Sequence, residues 1–334
     1  MSDFVKRASH FFRQINRLPG RTTQLERKVD RLLKQVVEMR RENLLLLGTL
    51  SFPAPEQWLG QPPLIAGEPG QMVFASAAMC RQDSFRQPYF SYWTTRLGDS
   101  LRYHRKLWEF VFIAQALWER GVITSGRRGL GFGVGIEPLS AFFASQDVRV
   151  TATDLMFEGA ASLGWTDTNQ HAAGKEALRK PAICPDDLFD RNVEFRECDM
   201  NAVPDDLTGY DFCWSACALE HLGSIEKGLA FIERSVQCLK PGGWAIHTTE
   251  FNVTSNLETV DHMETVLFRR RDLEALAERL RAQGHFVAPI DWNPGAEPLD
   301  RYYDIAPYKE QPHLKMALSG FGATSIGFIV QRGL

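Results

Sequence analysis

Residues 129–137 read GLGFGVGIE, and this glycine-rich stretch decides the fold of the chain. It stands just before a helix-like segment, and Asp154 follows about 20 residues later, at the end of a strand-like segment. Glycines let the main chain approach a ligand closely, and a helix N-terminus offers free amide groups. A carboxylate at the next strand end suits a pair of ribose hydroxyls. The stretch therefore predicts a site for a nucleotide-type ligand in an α/β fold.

The composition is that of a globular enzyme. The 334 residues carry a formal net charge of −3, and 44% of them are hydrophobic. This charge argues against nucleic-acid binding, and no apolar run reaches the ~20 residues of a membrane span. No apolar segment of the length found in a secretory signal follows the early basic residues, so we expect a cytoplasmic protein.

The six cysteines are scattered and form no CxxC pair, so we expect reduced thiols rather than a disulfide framework. Cys213, Cys217 and His221 are evenly spaced, which is one pattern that metal ligands adopt on a helix. Cys213 falls in a strand-like segment, however, where this spacing does not form a helical face. We therefore predict no metal site.

Two segments precede the linking region and the predicted α/β domain. Residues 1–20 are basic and partly amphipathic, which fits either a helix that contacts a membrane surface or partner protein, or a frayed tail. Residues 22–50 predict a coiled coil with a single Asn at an a position, which favours a parallel dimer; the alternative is a helix packed on its own domain. The heptad positions are Leu25, Val29, Leu32, Val36, Met39, Asn43 and Leu46.

The remaining chain divides into a linking region and an α/β domain. Residues 51–125 contain a proline- and glycine-rich linker and a helix at about 101–120. Strand and helix patterns alternate over 126–334, which predicts a parallel, doubly wound sheet. A long segment at 293–319 predicts a lid or acceptor-binding insert. The predicted strands are residues 130–132, 148–153, 193–197, 210–215, 244–249, 285–290 and 324–331.

Further segments follow the glycine stretch in a recognisable order. They are Asp154, Cys-Asp-Met-Asn at 198–201, a strand end at 211–215 and Leu-Lys-Pro-Gly-Gly at 239–243. This order resembles that of the class I S-adenosylmethionine-dependent methyltransferases over residues 126–334. The resemblance implies a Rossmann-like, seven-stranded methyltransferase sheet with helices on both faces, and S-adenosylmethionine as the cofactor. The chain departs from the family at two positions, because Gly131 replaces a usual acidic residue and Glu137 replaces a usual glycine.

The resemblance also implies roles for individual residues. Asp154 would bind the ribose hydroxyls, Asp199 would face the adenine amine and Met200 would pack on the ring. Glu137 is a candidate for the methionine amine, or it only stabilises a helix N-terminus. The complete predicted cofactor set is Gly131, Gly133, Gly135, Glu137, Asp154, Leu155, Asp199, Met200, Asn201 and Ser215.

Glu220 and His221 follow the fourth predicted strand, where the resemblance places the acceptor pocket. His221 titrates near neutrality and is the first choice for a general base. Glu220 is the second choice, or it orients His221, and a purely structural role for His221 is the alternative. Arg105 or Lys106 is a candidate for the methionine carboxylate; a solvated basic helix face is the other interpretation.

The predicted activity is methyl transfer from S-adenosylmethionine to a hydroxyl group of a sugar, a glycan or another small molecule. It depends on His221 as base and on a similarity to bacterial polysaccharide-modifying methyltransferases. N-methylation of a small metabolite is the close alternative. A ligand-binding coiled-coil scaffold without turnover is a second one, and the Lys-Pro-Gly-Gly turn at 240–243 argues against a nicotinamide dehydrogenase. We expect a homo-oligomer with no nucleic-acid partner.

Overall fold

The computed structural model describes residues 22–50, 60–155 and 174–334. The predicted membrane or partner contact of residues 1–20 lies outside these ranges. Across the described residues, no helix combines the length and the apolar character needed to span a bilayer.

The described residues form one sheet and a set of surrounding helices. The strands are β1 Arg128–Phe132, β2 Arg149–Asp154, β3 Val193–Glu197, β4 Tyr210–Ala216, β5 Leu239–Asn252, β6 Phe286–Val287, β7 Lys315–Leu318 and β8 Phe321–Gln331. The helices are α1 Thr22–Leu50, α2 Pro88–Arg96, α3 Arg105–Glu119, α4 Leu139–Ser145, α5 Asp186–Asn192, α6 Ile225–Gln237, α7 Arg270–Ala282 and α8 Pro298–Arg301. Short 3-10 turns occupy Gln82–Arg86, Lys175–Leu178 and Leu219–His221.

The strand order is β3-β2-β1-β4-β5-β8-β6. β7 is not on this path and pairs with residues 321–324 at the start of β8. Strands β1 to β5 are parallel, whereas β8 runs antiparallel to β5. Separate apolar clusters cover the two faces, one built largely with α3 and α4 and the other with α6 and α7. The chain order reverses between β1 and β4, and ligands of open α/β sheets bind at the carboxyl ends of the strands at such a point.

Close packing explains why β1 is rich in glycine. A Cβ atom on Gly129 would lie 2.6 Å from the Phe212 ring, and one on Gly131 would lie 2.4 Å from the Trp214 ring. Strand β4, which supplies both aromatic rings, is buried along its whole length. Such a continuous buried run is typical of a central parallel strand.

The predicted α/β sheet is confirmed, with several differences in detail. β5 already begins at Leu239, because the Lys-Pro-Gly-Gly segment lies inside the strand at a register shift between Tyr210 and Phe212. The segment at 293–319 contains α8 and β7, so the sheet has eight strands among the described residues rather than seven. The region before residue 100, which carries no helical periodicity, contains α2.

Helix α1 covers the whole predicted coiled-coil segment. It contacts β7, and Leu44 and Leu47 are half-buried near its C-terminal end. The predicted heptad positions remain exposed along most of the helix, namely Leu32, Val36, Met39, Asn43 and Leu46. Two other predicted heptad positions, Leu25 and Val29, are half-buried.

Candidate functional site

A cavity of about 680 Å³ opens at the carboxyl ends of β1 to β4, at the point where the strand order reverses. Most of the predicted site residues meet there, although they come from four separate segments of the chain. The predicted residues that line the cavity are Gly133, Gly135, Glu137, Asp154, Leu155, Asp199, Met200, Asn201 and His221. Gly131, Ser215 and Glu220 do not line it.

Asp154 connects the end of β2 to the glycine turn. Its Oδ2 accepts a hydrogen bond from the Gly135 amide at 3.0 Å, and its Oδ1 accepts one from the Leu155 amide at 2.9 Å. Gly135 has φ of +48°, a left-handed conformation that glycine adopts without strain. The carboxylate is therefore held at the edge of the cavity beside main-chain amides.

Gly133 and Met200 form a second part of the wall. Gly133 also has positive φ, and a Cβ there would lie 2.8 Å from Ala218 and 3.2 Å from the Met200 sulfur. Met200 is buried, whereas Asp199 is exposed and accepts a hydrogen bond from the Asn201 amide at 2.8 Å. This loop after β3 places an apolar thioether next to a polar rim.

Glu137 reaches the cavity because of Trp214. The Trp214 indole N–H donates to Glu137 Oε1 at 2.6 Å, and the ring occupies the space beside Gly131. Burial raises the pKa of Glu137 to about 8, against the opposing effect of the indole hydrogen bond. Gly131 thus leaves room for the Trp214 ring, and that ring holds Glu137 on the cavity wall.

Ser215 faces the sheet interior instead of the cavity. Its hydroxyl lies 2.8 Å from His247 Nδ1, and the Ser235 hydroxyl lies 2.9 Å from His247 Nε2. His247 is fully buried, and burial lowers its pKa to about 3. These three residues form a structural link between β4, β5 and α6.

His221 lies on the cavity wall next to buried Glu220. Its Nδ1 lies 3.0 Å from the Glu264 carbonyl oxygen, which only accepts hydrogen bonds, so Nδ1 carries the proton and the lone pair is on Nε2. That Nε2 lies 3.9 Å from Glu220 Oε1. Burial lowers the pKa of His221 to about 4, despite the opposing bond to the Glu264 carbonyl. The imidazole is therefore neutral at pH 7.

Arg105 and Lys106 have different surroundings at the start of α3. Lys106 lines the cavity, where its Nζ donates to the Ala216 carbonyl at 3.1 Å and lies 3.3 Å from Glu109 Oε2. Arg105 lies behind it and binds Glu109 and Glu250 at 3.1 and 2.6 Å. Of the two candidates for the methionine carboxylate, only Lys106 lines the cavity.

Several residues of the cavity wall could not be identified from the sequence. Leu97, Phe110 and Ile183 are apolar, and Lys180 adds a second cationic side chain. They come from the region around α2 and α3 and from the loop before α5. Their sequence signals are ordinary core signals, so only tertiary packing identifies them as cavity residues.

The described residues contain no group of three His, Cys, Asp or Glu side chains arranged to hold a metal ion. The six cysteines are buried and free. Cys213 Sγ faces the Ser235 carbonyl at 3.7 Å, while Cys217 Sγ donates to Glu109 Oε1 at 3.0 Å.

Known proteins resemble this chain in fold. No protein-family profile matches it, and no curated protein matches it. The solved structures to which it is similar include several methyltransferases. A candidate sarcosine dimethylglycine methyltransferase from Galdieria sulphuraria is 13% identical, with 74% of this chain and 99% of that chain covered and a TM-score of 0.41.

Two other solved structures are similar in the same way. An S-adenosylmethionine-dependent methyltransferase from Mesorhizobium loti is 14% identical, with 65% of this chain and 96% of that chain covered and a TM-score of 0.41. Phosphoethanolamine N-methyltransferase 2 from Haemonchus contortus, in complex with S-adenosyl-L-methionine, is 14% identical, with 67% and 53% covered and a TM-score of 0.37. At these identities the likeness is one of fold alone.

The raised pKa of Glu137 predicts a specific pH dependence of stability. A carboxyl whose pKa is higher in the folded than in the unfolded protein stabilises the fold at low pH, and this contribution is lost as pH rises towards the folded-state value of about 8. Between about pH 6 and about pH 8, the ligand-free wild type should lose up to about 2–3 kcal/mol more stability than the Glu137→Gln variant. Urea unfolding at both pH values measures this difference, and parallel pH profiles would contradict it.

Proposed function

We propose that this protein transfers a methyl group from S-adenosylmethionine to a small-molecule acceptor. The proposal depends on one observation: the Gly135 amide donates a hydrogen bond to the Asp154 carboxylate, and both residues line the cavity. A carboxylate beside a glycine turn at the carboxyl edge of a parallel sheet suits a nucleoside ligand. When bound, the cofactor supplies an electrophilic methyl group on a sulfonium.

The cavity residues fit each part of this cofactor chemically. Asp154 suits the ribose diol, and Met200 offers a polarisable surface for the adenine ring. Glu137 and Lys106 line the same cavity. The acidic side chain of Glu137 suits the amine of the methionine part, and the cationic side chain of Lys106 suits its carboxylate. Side chains at Gly133 would fill the space near Met200 that the ligand needs.

His221 supports a catalytic rather than a scaffolding role. Its neutral imidazole presents the Nε2 lone pair near Glu220 Oε1, and the residue lines the cavity. A base in this state accepts the proton that a hydroxyl or an ammonium group loses on methylation, and the Glu220 carboxylate then stabilises the imidazolium. A sugar or glycan hydroxyl remains the acceptor predicted from sequence.

Replacing the ribose-binding carboxylate should weaken cofactor binding. We expect Asp154→Ala to reduce affinity for S-adenosylhomocysteine by about 1–3 kcal/mol, because buried polar groups of the ligand lose their partner. Isothermal titration calorimetry measures the dissociation constant. Asp205→Ala removes an acid that is fully exposed and serves as the control. An unchanged dissociation constant for Asp154→Ala would remove this residue from the site.

Replacing the proposed base should separate turnover from binding. His221→Ala should lower the rate of methyl transfer by about 10²-fold or more while leaving S-adenosylhomocysteine affinity nearly unchanged. His262→Ala, at a side chain that is 82% exposed in the same region of the chain, is the matched control. Acceptors come from a metabolite screen read by mass spectrometry. A parallel loss of binding and rate would assign His221 to the pocket wall instead.

We also propose that α1 joins two copies of the chain into a parallel coiled coil. The exposed seam of Leu32, Val36 and Met39 continues to Asn43, whereas Leu44 and Leu47 are half-buried. Burying such a seam against an identical helix removes its apolar surface from water, and Asn43 fixes the register.

Charges placed on the seam should dissociate this oligomer. We expect the double variant Leu32→Lys, Met39→Lys of the full chain to have a smaller mass by light scattering, because each charge would be buried between helices. Val37→Lys, at a position that is 63% exposed and outside the seam, should keep the wild-type mass. Equal masses for all three proteins would rule out the coiled coil.

A further inference from the structure

Part of the cavity wall comes from segments that the proposed cofactor contacts do not include. Leu97 directly follows α2, and the turn before α5 supplies Lys180 and Ile183. These two segments pack on each other, because a Cβ atom on Gly98 would lie 3.2 Å from the Ile183 side chain. Leu97, Ile183 and Phe110 of α3 make this part of the wall apolar, and Lys180 adds a cation to it.

Hydrogen bonds of the main chain fix the position of Lys180. Its carbonyl accepts from the Ile183 amide at 2.9 Å and from the Cys184 amide at 3.0 Å, which closes a tight turn. Leu178 and Cys184, on either side of Lys180, are fully buried. Because the turn is anchored at both ends, the half-buried side chain of Lys180 is kept at the cavity wall.

Among the described residues, Lys180 is the charged group of the wall that lacks a partner in the chain. Its ammonium makes no hydrogen bond and no ion pair within those ranges. A half-buried cation beside apolar side chains gains from an anionic ligand, since charge-assisted hydrogen bonds are stronger there than in water. The other charged groups of the wall each have a hydrogen bond or an ion pair within the chain, namely Asp99, Lys106, Glu137, Asp154 and Asp199.

The proposed cofactor has no anionic group left for Lys180. In S-adenosylmethionine the amine and the carboxylate are attached to one carbon atom, so their partners in the protein must lie close together. Glu137 and Lys106 meet this requirement: burial raises the pKa of Glu137, and the nearby charge of Lys106 acts against that rise. Once Lys106 binds the methionine carboxylate, the rest of the cofactor is neutral or cationic. An anion that reaches Lys180 therefore belongs to the second ligand, the acceptor.

We propose that the methyl acceptor carries an anionic group, a carboxylate or a phosphate, and that Lys180 binds this group. This inference rests on the methyltransferase activity proposed above and names the acceptor class for the same cavity. The acceptor is then held at two points, with its anionic group at Lys180 and its reacting group at His221. For the sugar acceptor predicted from sequence, this describes a sugar acid or a sugar phosphate.

Paired sugars that differ in charge test this proposal in the full-length protein. D-glucuronate is compared with D-glucuronamide for a carboxylate, and D-glucose 6-phosphate is compared with D-glucose for a phosphate. Each sugar is titrated calorimetrically, at constant ionic strength, into protein saturated with S-adenosylhomocysteine. In at least one pair the anion should bind about tenfold more tightly than its neutral counterpart, because it forms a charge-assisted hydrogen bond with Lys180. The pair that shows this preference identifies the anionic group.

Two lysine variants separate a specific contact from a general effect of charge. Lys180→Gln should abolish the preference for the anion and leave the affinity for S-adenosylhomocysteine nearly unchanged. Lys175→Gln removes the same charge from the same segment, but Lys175 does not line the cavity and lies 3.4 Å from Asp190. This control should retain the preference.

Equal binding within both pairs, binding of none of the four sugars, or a preference that survives Lys180→Gln would overturn the proposal. A loss of affinity for S-adenosylhomocysteine in Lys180→Gln would also overturn it, because Lys180 would then belong to the cofactor. Failure of S-adenosylhomocysteine to bind the wild-type protein is a separate result and would contradict the proposed function instead.

Discussion

The contact of the Trp214 indole with Gly131 determines one wall of the cavity. Trp214 is fully buried in the central strand, and its ring fills the space that a side chain at residue 131 would need. Burying an aromatic side chain of this size contributes several kcal/mol, at about 25 cal/mol per Å² over roughly 200 Å². The indole N–H then fixes Glu137 on the cavity wall. Gly131 and Glu137 are therefore linked through the same buried ring.

The ion pairs of Arg105 play the corresponding part for another wall of the cavity. Arg105 joins α3 to β5 through Glu250 and pairs with Glu109 on its own helix, and the Ser325 hydroxyl of β8 donates to Glu109. Burial alone would favour the neutral forms of these groups, and their mutual attraction keeps Arg105 and Glu109 charged. Because Arg105 anchors α3 in this way, the next residue of the helix, Lys106, is held at the cavity wall. The orientation of this wall is thus a consequence of buried electrostatics.

Sequence reasoning was most accurate where the signal is local. The bounds of β3 agree with the prediction at both ends, and the glycine turn and Asp154 meet as expected. It was less accurate where a register or a distant segment decides the outcome. The sequence predicts Ser215 at the cofactor, but the Ser215 hydroxyl faces His247 in the folded chain. The sequence does not predict β7, because this strand is only four residues long and forms by pairing with β8.

The same distinction explains why the acceptor is harder to derive than the cofactor. The cavity wall at Gly135, Asp154 and Met200 is built from loops that each follow one strand, so short motifs describe it. The region around His221 is assembled from distant segments of the chain, because Cys217 donates to Glu109 and the Glu264 carbonyl accepts from His221 Nδ1. Neither partner carries a sequence motif, because each contact needs only one carboxylate or one carbonyl at the right place. The charge balance of this region is therefore a property of the folded chain, visible only when the segments that supply Glu109, Glu220 and Glu250 lie together.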